Sequence, residues 1–195
     1  MDELQALVPD APRLLPGTPL PATRFVPDLH PHPRRGPDGS LHDRPLPAPG
    51  LPAERWADDT SYLLGIDLYH QGYLWESHEA WEACYFAAED PTHRDLLQAL
   101  IQLAAAELQL HRGVRGGVRT LAARIALRLG QVVLARGPDP MSCGLDVGAL
   151  HRAVLRRFRG ALAPGGDPLE TGGPPVRLVI VAGPPPRAPC EECGP

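Results

Sequence analysis

The chain has 195 residues, including 25 Pro and 20 Gly, and a formal charge of -4 with an isoelectric point near 6.0. That balance supplies no basic surface for nucleic acid or an anionic membrane, and no apolar run approaches the roughly 18 residues of a spanning helix. The length suits one domain with sizeable tails, and Asp2 and Glu3 stand where a signal peptide would be basic, so the expectation is a cytoplasmic protein. All 19 basic residues are Arg and Asn is absent, the mark of GC-rich coding, so the Arg count implies no ligand.

Residues 1–52 form a Pro-rich arm, in which neither a helix nor a central strand can persist because proline fixes φ and lacks a donor. Leu14, Leu15, Phe25, Val26 and Leu29 are apolar enough to dock it on the domain, with Phe25 and Val26 as anchors. His30 and His32 sit among these prolines, and two His alone rarely make a strong metal site.

Residues 53–162 are expected to form the folded domain. Asp58 or Asp59 caps a first helix reaching about His70, and Gly72 turns the chain. A second helix runs from about Tyr73 to Ala88, with Trp75, His78, Glu79, Glu82 and Phe86 on one side, which places polar groups on the expected buried face. Asp90-Pro91 starts a third helix that ends near His111, rich in Leu. Gly113, Gly116 and Gly117 precede a fourth, to about Arg136, and Asp146 caps a fifth, to about Leu162. Residues 163–195 read as a Gly/Pro-rich tail. Its run Val176 to Val181 has no strand partner in sight, so it is expected to lie extended on the bundle or to be ordered by a second subunit. The fold class is all-α, a single antiparallel bundle of about five helices with irregular Pro-rich arms at both ends.

The run from Gly65 to Glu82, with Tyr73, Glu76, His78-Glu79 and Glu82, resembles the signature of the bacterial and archaeal family called domain of unknown function 309. Gln98 to Ala106 and Gly113 to Val118 are similar to its second and third blocks, so that the resemblance covers about residues 61–129. The arm from Leu20 to Asp38 is similar to an extension carried by one branch of that family. The resemblance implies a helical bundle and no particular activity. His70, Tyr85, Ala99 and Gln109 depart from the pattern, and Gln109 weakens a metal site shared by the second and third helices.

His78 and Glu82 are spaced to aim an imidazole and a carboxylate at one divalent metal, with Glu79 beside them, as a His-Glu-x-x-His helix does for zinc. The bland alternative is a satisfied polar network inside the bundle, joining Glu76, His78, Glu79 and Glu82 to Gln98 or Gln102 on the third helix. Cys190 and Cys193 have zinc-ribbon spacing but no second pair, and Cys143 and His151 form no pattern with them. No nucleophile elbow, phosphate loop or dinucleotide fingerprint occurs. The leading expectation is a non-catalytic module that binds a protein partner or small ligand, with homo-oligomerisation left open. A metal-dependent hydrolase using His78, Glu79 and Glu82 is the alternative.

Overall fold

A computed structural model describes residues 4–35, 38–39, 41–43 and 45–181; Cys190 and Cys193 lie outside the described residues. A 3-10 helix, Ala53–Asp58, leads into α1 (Thr60–His70), α2 (Leu74–Ala87), α3 (Pro91–His111) and α4 (Arg115–Arg136). After a two-residue hairpin, β1 (Met141–Ser142) and β2 (Leu145–Asp146), come α5 (Val147–Arg157) and the short α6 (Arg159–Leu162). The protein is a helical bundle in which each of α1 to α4 packs on the next and α5 closes on α4. No helix among the described residues is long and apolar enough to cross a membrane.

Local chemistry sets the helix ends. Asp59 accepts the Tyr62 N–H at 2.9 Å, Asp90 the His93 N–H at 2.8 Å and Asp146 the Ala149 N–H at 2.8 Å, each satisfying a donor that has no intrahelical partner. Gly72 takes φ 78° between α1 and α2, where the Gln5 carbonyl also approaches too closely for a side chain. The expected fifth helix is divided at Phe158, whose φ of -100° and ψ of 28° leave the helical range while its ring is buried in the core. Sequence periodicity continues across that break, so it carries no local warning.

The hairpin was not anticipated. Cys143 and Gly144 both have positive φ, the two-residue turn that matches strand twist, and Ile180 bridges to Leu145 beside it. The Val176 to Val181 run therefore does have a pairing partner in this chain, and Val176 and Leu178 are buried in the main core.

Both arms are fastened to α1. Asp67 Oδ1 accepts the Leu14 N–H at 2.7 Å, its Oδ2 accepts that of Leu15 at 2.9 Å, and Arg13 lies 3.5 Å from the same carboxylate. The His70 carbonyl takes the Val8 N–H at 2.9 Å while its Nε2 accepts that of Leu178 at 3.0 Å. Asp10 and Arg177 join the arms directly at 2.9 Å. Val26 is fully buried, and Phe25 meets Trp75 edge-on at 5.4 Å.

Candidate functional site

The second helix presents three different surfaces. Leu74, Ser77, Trp81 and Cys84, spaced at helical intervals, make the buried one. Trp81 decides this: its indole N–H donates to the Tyr62 carbonyl at 3.2 Å, and its ring fills the place a side chain on Gly65 would occupy. The side expected to be buried is therefore not the inner one. Phe86 is 77% exposed, and the side chains of His78 and Glu82 keep 29% and 37% of their surface in solvent. Burying the indole outweighs burying a stripe that alternates aromatic and charged groups.

On the outer surface His78 Nε2 lies 3.6 Å from Glu82 Oε1, and His78 Nδ1 lies 4.0 Å from Glu79 Oε1. One ligand atom from each of the three falls within 4.8 Å of the others. Glu79 also pairs with Arg34 of the arm at 3.3 Å. Gln98 and Gln102 are not brought to this cluster: among the described residues no hydrogen bond joins either to His78 or Glu82. Gln102 is buried with its Oε1 unpartnered. The reason is again the helix rotation, which turns Trp81 and Cys84 inward and carries His78 and Glu82 away from the core.

Glu76 lies on the third surface. It is 3% exposed, its Oε1 accepts the Phe25 N–H at 3.1 Å, and its Oε2 is buried with no hydrogen-bond partner among the described residues. Burial pushes its carboxyl up from 4.5 to about 7, opposed by its own backbone N–H, the Phe25 N–H and the charge of Arg24, and reinforced by Glu79. Glu76 and Glu79 stand on the wall of a groove of about 450 Å³ between the arm and the first two helices. Its apolar lining comes from Leu64, Leu68 and Ala80 on the helices and from prolines such as Pro19 and Pro45 on the arm. A concave, mostly apolar site with a few placed polar groups is the usual form of a small-molecule site.

The remaining candidates have local partners or inert surroundings. His30 Nδ1 accepts the Val26 N–H at 3.1 Å and His32 Nδ1 that of Arg34 at 3.2 Å, so both shape the arm. Cys84 and Cys143 are free and buried, and burial raises both thiols, Cys143 to about 11 and Cys84 further, so neither is a ready nucleophile or ligand. His151 makes no metal cluster with Cys143 among the described residues. Sequence reasoning picked out Glu76 but missed the arm residues opposite it, because Arg34, Leu41 and Pro45 sit in a segment without periodicity. It named His70 only as a departure from the family pattern and assigned no role to Asp67, whose only signal is a polar group on an otherwise apolar helix face.

No curated protein and no solved structure matches the chain. Residues 62–121, which span α1 to the beginning of α4 and hold both Glu76 and the His78 cluster, match the model of the family described as Domain of unknown function (DUF309).

Proposed function

We propose that the protein is a non-catalytic helical module that binds a small ligand in the groove between its N-terminal arm and α1–α2. The observation that carries this is the groove itself, about 450 Å³ and mostly apolar, with the buried Glu76 carboxylate, held on one oxygen by Phe25 N–H, in its wall. Binding is favoured over chemistry because the second carboxylate on that wall, Glu79, is already engaged by Arg34, which leaves no matched pair of acid and base. The acidic balance of the chain gives no field that favours nucleic acid, and we take its setting to be cytoplasmic. Screening small molecules against isotope-labelled protein tests the reading: shifts should cluster at the amides of Phe25, Leu68 and Glu76, and binders that perturb other surfaces alone would overturn it.

A second reading rests on the proximity of His78, Glu79 and Glu82. One ligand atom from each of the three lies within 4.8 Å of the others, whereas tetrahedral zinc with bonds of about 2.0 to 2.1 Å sets its ligand atoms roughly 3.4 Å apart, so the cluster would have to tighten on an ion. A divalent metal there would lie at the rim of the groove and could activate water, which makes a metal-dependent hydrolase the alternative. Metal analysis of untagged protein, with His78→Ala as control, separates the two readings: stoichiometric metal lost in the variant favours the hydrolase.

A further inference from the structure

We propose that two copies of this chain associate through the outer face of α4, the two helices lying antiparallel with Leu127 of each against Leu134 of the other. The surface shares no residue with the groove and stands independently of it.

The helix itself supplies the first observation. α4 packs on the rest of the fold through Val118, Ala122, Ile125, Leu129 and Val132, all buried. Thr120, Arg124, Leu127, Gln131 and Leu134 are all exposed, and the helical period gathers them within about 80° of arc on the outer side. Leu127 keeps 64% of its surface in solvent and Leu134 83%, the largest fraction of any large hydrophobic among the described residues. A single exposed leucine is ordinary. Two of them a heptad apart on one face make a seam for another helix.

Charge then selects the occupant. α4 carries several Arg and no Asp or Glu. Arg115 pairs with Asp167, Arg128 with Asp95 and Arg136 with Asp90, while Arg119 donates to the carbonyls of Ala161 and Gly166. Arg124, on the outer face, has no ion-pair or hydrogen-bond partner among the described residues. Asp139, just past Gly137 at the other end of the helix, is exposed, and its carboxylate is likewise unpaired among the described residues. The face is therefore positive toward its start and negative at its finish, where the terminal carbonyls of the helix add to the acid.

Two antiparallel copies of such a face complement each other. With Leu127 opposite Leu134 of the second copy, counting along the helices sets Arg124 opposite Gly137 of that copy, beside its last carbonyls and the segment that bears Asp139. Two-fold symmetry repeats the contact at the far end. Gly130 then comes opposite Gln131 at the crossing, where the missing side chain lets the helix axes approach. The two Gln131 amides, each donor and acceptor at once, suit one another. A parallel pair would instead set Arg124 against Arg124. The seam is one helix wide and about 33 Å long, which lies at the small end of specific interfaces, so the dimer is weak and depends on concentration.

The test is sedimentation equilibrium of the full chain over roughly 5 to 500 µM. The expected result is a mass that rises from 21.0 kDa toward twice that value and stops there. Leu127→Ser and Leu134→Ser should each weaken association by about tenfold or more, because each substitution enters the contact twice. Both positions are exposed, so the melting temperature of the dilute variants should match that of the parent. Arg124→Glu should weaken association too, and adding Asp139→Arg to it should restore it. In a parallel pair Arg124→Glu would remove a repulsion, so stronger association in that variant would overturn the arrangement. A chain that stays single at the highest concentration would overturn the second copy as occupant and leave the face to an acidic helix of another protein. Dimers indifferent to both serine substitutions would show that the copies meet elsewhere, and a mass climbing past two chains would show an open, head-to-tail contact in place of the closed pair.

Discussion

Asp67 in α1 and Glu76 in α2 are both buried carboxylates that the N-terminal arm covers, yet the arm treats them differently. Asp67 receives two backbone N–H groups, one on each oxygen, and has Arg13 alongside. Glu76 receives one N–H from the arm, and its other oxygen is buried with no hydrogen-bond partner among the described residues. Glu107 in α3 follows the Asp67 pattern, since Arg157 donates to both its oxygens at 2.9 and 2.8 Å. Burial is common to all three, so burial alone does not mark a working group. What sets Glu76 apart is its less complete pairing, at the wall of a groove.

The widest test of that contrast is Asp67→Ala, which leaves two arm N–H groups and Arg13 without their acceptor. It should cost about 3 to 5 kcal/mol, the range for breaking a buried charged pair. It should also let protease cut between Leu14 and Pro52 faster than in the unaltered chain. Denaturant melts and timed digestion measure the two effects, and continued protection of the arm would mean that Phe25 and Val26 hold it alone.

A pH series sharpens the comparison. For Glu76 the rise from 4.5 to about 7 means that its contribution to stability is complete below pH 4.5 and is lost as pH climbs through 7, roughly 3 kcal/mol in all. For His70 burial lowers the ring from 6.5 to about 4, so its contribution is complete above pH 6.5 and is lost as pH falls through 4, again roughly 3 kcal/mol. Between pH 4.5 and 6.5 the two oppose each other. Glu76→Gln should then show stability rising with pH across that window and His70→Gln should show it falling, with the parent chain between them. Coincident slopes in all three proteins would dismiss both assignments.

The smallest expected effect belongs to the outer cluster. Glu82→Ala and Glu82→Leu should each change stability by no more than about 0.5 kcal/mol, because the pair with His78 is partly exposed and screened. Thermal melts decide this, and a loss of several kcal/mol would show that the cluster braces the fold as Asp67 does. A metal-binding role would instead appear as metal lost from both variants without a change in melting temperature.

The helix starts were legible in the sequence because their causes are local: Asp59, Asp90 before Pro91, and Asp146 each satisfy a donor within three residues. The rotation of α2 was not. Its sequence offers aromatic residues on more than one side, and the choice of Trp81 as the inner one depends on the missing side chain of Gly65 in a different helix. Glu76, His78, Glu79 and Glu82 could be selected by residue type and spacing. That Glu76 would face a groove while His78 faces solvent depended on where proline segments some fifty residues earlier come to rest, and such segments carry no period to read.

His70 adds a topological consequence. With Val8 on its carbonyl and Leu178 on its ring, and with Asp10 paired to Arg177 beside it, the chain enters and leaves the fold at one place. The path from residue 8 to residue 178 is nearly a ring, fastened at a single histidine. A ring has no obligatory opening, and the exposed turn at Gly113, where an added Cβ would meet nothing within 4 Å, is where a circularly permuted version of this chain could begin and end.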